Sequence, residues 1–415
     1  MSRIVLAALF ACLVVGTLDA QDVDEKAEEP VKISPVVRKG VTFLVRTQHR
    51  DGGWGAKWDI NAQFKQPHER TITPLSDPGT TAFVAIALLK MGQTPAQGDL
   101  KVQMAAATKY ILDNVDKSAA DNYEFPSPYE TQMQKKLGGL VDIPVVTEYL
   151  ARLQEALPED HELTPRVQEA LAKCTGKLML AHKAPADYKW NGWANGLMKV
   201  HILRSMEIAQ ASGAEVDDKV LQQLRSEVAE NIDLATGRRK TVYPPGVELY
   251  DLAIAMWANS FRAREAAGLV EFEPKKRQKP QEQYDELVEL LVDAGVEKPR
   301  AEKLSLSVFQ NQWHIGRLGN RKMLAGFGSL GGEELVSYAL IGEALAVAGG
   351  DEFDKWHETL YAQLARVQNA DGSYYGHHCI LSPVYNTAAS ISALSVAQDR
   401  DLLKKLARPA NPDKP

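Results

Sequence analysis

Gln368-Asn-Ala-Asp371-Gly372-Ser-Tyr374-Tyr375-Gly-His377-His378-Cys379, then a short Pro-containing link and Asn386-Thr-Ala-Ala-Ser-Ile-Ser-Ala-Leu394, is the stretch that decides the fold. It joins the end of an amphipathic helix, a glycine turn, and the start of a helix of small apolar residues. The same order stands near the other end of the chain, at Gln48-His49-Arg-Asp51-Gly52-Gly-Trp54-Gly and then Thr80-Thr-Ala-Phe-Val-Ala-Ile-Ala-Leu-Leu89. In both, Gln closes a helix, Asp-Gly makes the turn, and the aromatic that follows can pack under the next helix. One unit written at both ends indicates a repeat architecture.

Between these ends the chain keeps alternating. Ser34-Pro35 is a helix start, with a capping side chain followed by Pro at the first helical position. Amphipathic patterns then cover 35–48, 99–115, 164–181, 217–232 and 353–367. Each is followed by a more apolar helix, at 80–91, 144–156, 197–211, 247–267 and 387–397. A helix without a polar face is buried on all sides. Two short patterns, 282–294 and 299–310, stand in for one further outer helix ahead of 333–347. Six helical hairpins with buried second helices specify an all-α chain, an α/α-toroid over 34–405 with an inner and an outer ring. An open solenoid would need polar capping repeats at its ends. Here the first and last units resemble each other most, which suits a ring that closes.

The links inside the pairs are long: 49–79, 116–143, 183–196, 234–246, 311–332 and 369–386. In such a ring they share one end, together with the N-termini of the inner helices, whose free N–H groups favour an anion. Long loops carry function more often than the elements they join. The candidate ligand pocket is therefore at this end. Its candidate lining is Trp54, Trp58, Trp190, Trp193, Trp313, His314, Arg317, Tyr374 and Tyr375.

Composition bounds the remaining choices. The chain has 415 residues, 45% hydrophobic and 25% charged, as in soluble globular proteins. A net charge of −6 without a basic stripe gives no footprint for nucleic acid. Residues 1–20 read as an export signal: Arg3, an apolar run from Ile4 to Val15 too short to span a membrane, and small Ala20 at a cleavage point. Residues 21–33 read as a flexible acidic segment and 406–415 as a disordered tail. The expected location is outside the cell or in the periplasm, with no transmembrane segment in the mature chain. Cys174 and Cys379 then remain, and spacing alone leaves their pairing open, as it does the oligomeric state.

The unit Leu-x-x-x-Gln-x-x-Asp-Gly-(Gly/Ser)-(Trp/Tyr), at Leu44–Trp54 and Leu364–Tyr374, resembles the Gln-Trp repeat of squalene–hopene cyclases and the equivalent repeat of protein prenyltransferase β subunits. The resemblance implies the toroid fold, and fold alone does not carry activity. The cyclases protonate with an Asp-x-Asp-Asp box. The aligned Asp77-Pro78-Gly79-Thr80 has Gly79 at the key acid, and Glu215-Val-Asp-Asp218 opens an outer helix, where it reads as a cap. Prenyltransferase zinc needs Asp-x-Cys and His, where Glu334, Val336 and Asn386 stand here. Leu330-Gly-Gly-Glu-Glu334 lacks the Cys and Gln of complement thioester domains, and no Asp-Asp-x-x-Asp run is found. The resemblance therefore implies a relative without cyclase or prenyltransferase activity.

What remains chemically suggestive is His377-His378-Cys379, a candidate set of zinc ligands, with Glu333, Glu334, His377 and His378 as candidate acid–base residues. Three readings follow. One is an exported toroid that binds a small molecule, glycan or peptide. Another is a carbohydrate-active lyase or hydrolase, which calls for a carboxylate pair facing exposed tryptophans. The third is a divergent isoprenoid-processing enzyme, which calls for a closed aromatic cavity. The first is preferred.

Overall fold

A computed structural model of the chain describes residues 33–65, 73–183, 192–228, 232–233, 238–239, 245–273, 279–400 and 402–403. The proposed leader and acidic segment up to residue 32, Trp190, and the tail 406–415 lie outside the described residues.

The described chain is all-helical, apart from a two-residue antiparallel pairing of Ile232–Asp233 with Arg238–Arg239. The helices are α1 Pro35–Arg46, α2 Pro78–Leu89, α3 Lys101–Lys117, α4 Gln132–Lys136, α5 Asp142–Ala156, α6 Thr164–His182, α7 Asn195–Ala211, α8 Asp218–Val228, α9 Pro245–Leu269, α10 Pro280–Asp293, α11 Lys298–Arg317, α12 Arg321–Leu324, α13 Gly332–Ala348, α14 Glu352–Val367 and α15 Pro383–Leu394. Their starts follow local chemistry. The Ser34 hydroxyl accepts from Val37 N at 3.3 Å, with Pro35 in the first turn of α1. Asp77 caps α2 by accepting from Thr80 N at 2.7 Å. Asp217 accepts from Lys219 N at 2.8 Å at the start of α8, the capping role expected for that acidic stretch.

Two kinds of helix alternate. In α1 only one face is buried, through Val36, Val37, Gly40, Phe43 and Leu44. In α2 every residue from Pro78 to Leu88 is buried, and α5, α7, α13 and α15 are buried almost as fully. These apolar helices pack in series: α2 on α5, α5 on α7, α7 on α9, α9 on α13, α13 on α15, and α15 on α2. The amphipathic helices α3, α6, α8, α11 and α14 each pack on the apolar helix that precedes them in the chain. The place outside α15 is taken by α1, from the opposite end of the sequence.

The repeated unit explains that last contact. Gln48 Nε2 donates to Gly52 O at 2.8 Å and to Gln103 O on α3 at 2.9 Å. Gln368 Nε2 donates to Gly372 O at 3.0 Å and to Val36 O on α1 at 2.8 Å. Thr81 Oγ1 accepts from Trp54 N at 2.9 Å, and Thr387 Oγ1 accepts from Tyr374 N at 3.0 Å. The two ends thus make the same bonds, one to the next hairpin and one back to the first.

One helix differs from expectation. Residues 311–317, with Trp313, His314 and Arg317, were expected in a loop; they form the last turns of α11. The stripe that continues the helix is made of buried Gln310, Asn311 and His314, polar residues that a search for apolar periodicity passes over. The helices α10 and α11 also share a small separate core with the end of α9, built on Ala266, Leu287, Leu291, Ala301 and Leu304.

Candidate functional site

Among the described residues, the links 49–79, 116–143 and 369–386 are held together by one side chain. Gln132 Oε1 accepts from Leu381 N at 2.7 Å and Ser382 N at 2.9 Å, while its Nε2 donates to Lys57 O at 3.1 Å. That one amide ties three links into a common surface. A cavity of about 130 Å³ lies beside it, lined by Lys57, Asp59, Thr73, Gln132 and Leu381 among others. None of the expected aromatic or histidine residues lines that cavity. A surface cluster that includes some of them is built elsewhere at this end.

The cluster forms at the start of α13. Its Gly331–Gly332 start lets the chain turn tightly against α15; a Cβ on Gly332 would meet the Tyr385 ring at 2.6 Å. Glu334 reaches back so that Oε2 accepts from Gly331 N at 3.1 Å. Its Oε1 accepts from the Tyr250 hydroxyl at 2.9 Å and lies 3.4 Å from His378 Nε2. Burial raises the Glu334 carboxyl, against the lowering effects of His378 and the Tyr250 bond. Glu333 Oε2 accepts from Ile380 N at 3.2 Å, and its Oε1 is buried without a hydrogen-bond partner. Burial, and then the neighbouring Glu334, push the Glu333 carboxyl up to about 7. Both glutamates are 0% exposed.

Above them stands an aromatic layer. Trp193 and Phe327 are 54% and 45% exposed, with ring centres 5.6 Å apart. Tyr250 lies 6.2 Å from Trp193 and 6.1 Å from Phe327, edge-on or tilted in each case. Phe327 is also edge-on to His378 at 5.5 Å. Gly246 makes room for the Phe327 ring: a Cβ there would meet it at 2.3 Å. From the platform inward, the order is Trp193 and Phe327, then Tyr250 and His378, then Glu334.

The structure therefore brings together Glu333, Glu334, His378, Cys379 and Trp193 from the sequence-expected set. Those of the rest that are described lie apart from it. Trp54 is 0% exposed and donates through Nε1 to Leu44 O at 2.8 Å; Tyr374 is 2% exposed. Both are packing residues of the repeat, and no ligand can stack on them. Trp58 is half-buried with the Lys136 ammonium 5.0 Å over its ring. Trp313 is half-buried under the Arg317 guanidinium at 4.6 Å, and Arg317 is paired with Glu248. His314 is fully buried on α11. Tyr375 is half-buried, and His377 is exposed, with its backbone N–H given to Leu330 O at 2.8 Å.

His377, His378 and Cys379, the candidate zinc ligands, lie together in the link ahead of α15. Among the described residues no three His, Cys, Asp or Glu side chains converge on a metal position. His378 Nε2 is 2.9 Å from Ser329 O, and Cys379 has φ 54°, the left-handed region. Burial, and then Glu333, push the Cys379 thiol up to about 12. Cys174 and Cys379 are both free, so they do not pair.

Tyr250 and Phe327 were not legible as site residues. Phe327 gives the one usable signal, a lone large aromatic between Gly326 and Gly328. Tyr250 sits in an apolar run that reads as core.

A second carboxyl pair lies at the same end and has a different role. Asp77 and Asp142 are both fully buried at the starts of α2 and α5. Asp77 accepts from Ala56 N at 3.0 Å and from the Tyr129 hydroxyl at 3.2 Å. Asp142 accepts from Gln134 Nε2 at 2.7 Å, while its Oδ1 is left without a partner against Gly79. Burial, and then the Asp77 charge, raise the Asp142 carboxyl well above the usual range. An unfolded aspartate ionises near about 3.9. The stability held in the neutral acid is therefore complete below that pH and is lost as pH rises through the folded value. Asp142→Asn keeps an acceptor for Gln134 and cannot ionise. Its melting temperature should match wild type near pH 4 and exceed it at pH 7. A variant that melts lower by the same amount at both pH values would contradict this role.

Comparison of the chain with known protein families, with curated proteins and with solved structures finds no match.

Proposed function

We propose that the chain is an exported α/α-toroid of the prenyltransferase and squalene–hopene cyclase type that binds a glycan at its long-loop end and performs no cyclase or prenyltransferase chemistry. The closed packing order of the six apolar helices, with α1 seated outside α15, supports the toroid. The duplicated Gln–Gly–aromatic unit supports the kinship. The apolar run after Arg3 supports export, and no described helix is long and apolar enough to cross a membrane.

The observation that carries the binding reading is the exposed Trp193–Phe327 pair, held from below by Tyr250 and His378. Such a surface is costly to leave bare. Two half-exposed aromatic faces gain about 25 cal/mol for each Å² covered, and a pyranose ring offers the flat C–H face that suits them.

A second reading, a glycan-cleaving enzyme, is favoured by Glu333, whose carboxyl at about 7 has the value of a general acid. Its zero exposure, and that of Glu334, argue for binding, since neither oxygen pair reaches a ligand resting on the platform.

The test is a glycan array probed with the natively purified chain and with the Trp193→Ala/Phe327→Ala double variant. Both residues are about half exposed, so the variant's melting temperature is measured beside its binding to show that it is folded. Its glycan signal should fall at least ten-fold. Undiminished binding by the double variant would remove the platform from the account. Glycan turnover that is lost in Glu333→Gln would establish the enzyme reading in its place.

A further inference from the structure

At the other ends of the apolar helices, a cavity of about 630 Å³ opens where α9 and α13 finish and α11 and α14 begin. Its floor is apolar, from Leu269, Leu345, Val347 and Phe353. Three guanidinium groups from three different segments reach it: Arg264 on α9, Arg300 on α11, and Arg400 beyond α15. Arg300 is paired with Glu265 at 2.5 Å. Arg400 is paired with Asp354 at 3.1 Å and lies 4.4 Å over the Phe353 ring. Arg264 has no acidic partner among the described residues. The lining thus holds three cations against two carboxylates.

The wall beside Arg264 is shaped for it. Gly349 and Gly350 both have positive φ, 80° and 85°, and neither carries a side chain into the opening. A Cβ on Gly349 would come within 3.2 Å of Arg264 Nη1. The carbonyl ends of α9 and α13 oppose an anion here. That effect is weak at an exposed helix end, and a charge-assisted hydrogen bond from the Arg264 guanidinium outweighs it.

We propose that this cavity binds an amphiphilic anion, a carboxylate or phosphate monoester on a short hydrocarbon chain. Its head group pairs with Arg264, and its body covers the Leu345–Val347 and Phe353 floor. The volume falls in the range of small-molecule sites, about 300–1,000 Å³. The site is independent of the glycan platform, which lies at the N-terminal ends of the same helices.

Calorimetric titration of the full chain with hexyl phosphate, hexanoate, hexanol and inorganic phosphate tests it. At least one of the two amphiphilic anions should bind, and hexanol and inorganic phosphate should each bind at least ten-fold more weakly. Stronger binding of hexyl phosphate or of hexanoate identifies the head group. Arg264→Gln should lower the affinity for the anion about ten-fold or more while leaving the melting temperature unchanged, because Arg264 is exposed and has no acidic partner among the described residues. The Trp193→Ala/Phe327→Ala variant should bind the anion as wild type does. No binding at millimolar concentration, equal binding of hexanol, or an unchanged affinity in Arg264→Gln would each overturn the assignment.

Discussion

Replacing Gly372 with alanine is expected to destabilise the chain by about 3–4 kcal/mol, at the upper end of single substitutions. Gly372 has φ 91°, and a Cβ there would lie 2.2 Å from Lys39 O, in the backbone of α1. The left-handed conformation alone costs a non-glycine residue about 1 kcal/mol. The remainder comes from pushing α1 off the turn, which also strains the bonds from Gln368 Nε2 to Val36 O and Gly372 O. Gly52 is its counterpart, with φ 90° and a Cβ position 2.4 Å from Ala106 O. Gly92 separates the two effects. Its φ is 73° and nothing stands within 4 Å of its Cβ position, so Gly92→Ala should cost only the conformational part. Urea denaturation of the three variants should place Gly372→Ala and Gly52→Ala together, well below Gly92→Ala. Equal costs for all three would show that the turns do not depend on close approach of the neighbouring helix.

The other large effect is expected at Glu343, in the middle of α13. Its Oε1 accepts from Lys90 Nζ and, at 2.6 Å, from Arg204 Nη2. Arg204 Nη2 is also 3.0 Å from Glu148 Oε1, which accepts from Arg152 Nε at 2.8 Å. Arg152 Nη1 then forks onto Asp399 at 2.6 and 2.7 Å. Three cations and three carboxylates, from α2, α5, α7, α13 and the turn after α15, balance one another inside the apolar layer. Lys90 and Glu343 have fully buried side chains. Burial alone would raise Glu148 and Asp399. Arg204, Arg152 and Lys90 around Glu148, and Arg152 and Lys90 beside Asp399, hold both below their ordinary values. The stability they contribute is present above the unfolded carboxyl range and is lost as pH falls through the folded values.

Glu343→Gln leaves that network with one unbalanced buried cation. Breaking one side of a buried pair costs about 3–5 kcal/mol, a large part of the roughly 5–15 kcal/mol by which a domain is stable. The urea midpoint should fall with little change in slope. The double variant Lys90→Met/Glu343→Leu, which removes both charges of the fully buried pair, should recover part of the loss. A Glu343→Gln midpoint indistinguishable from wild type would mean that the network contributes nothing net.

These two effects mark what the sequence could and could not disclose. The turn residues were legible because their chemistry is local. Gln48, Asp51 and Gly52 and their counterparts Gln368, Asp371 and Gly372 sit at fixed spacing, and the structure gives both sets the same hydrogen bonds. The alternation of amphipathic and apolar helices was legible for the same reason. The charged core was not. Lys90, the Glu148–Arg152 pair, Arg204, Glu343 and Asp399 lie in five segments far apart in sequence, and each reads alone as a polar interruption of an apolar stretch. Only packing of the five segments shows that they neutralise one another. The end of α11 was missed because its buried face is Gln310, Asn311 and His314.

The candidate site was legible in part. Glu333, Glu334, His377 and His378 were candidate acid–base residues; of these, Glu334 and His378 lie 3.4 Å apart. Whether a tryptophan is structure or surface was not readable from its type. Trp54 and Trp193 both follow a glycine in a link between helices, yet one is fully buried and the other 54% exposed. The difference lies in what each link packs against. Trp54 runs under α2, fixed by Thr81, whereas Trp193 stacks outward on Tyr250 and Phe327.

The most direct test of the proposed closed toroid is amide hydrogen exchange of wild type and Gly372→Ala, read helix by helix. If the two ends of the chain hold each other, the substitution should lower protection in Pro35–Arg46 as much as in Glu352–Val367 and Pro383–Leu394. The helices on the far side, such as Asn195–Ala211, should keep theirs. Loss confined to Glu352–Leu394, with Pro35–Arg46 as protected as in wild type, would contradict closure.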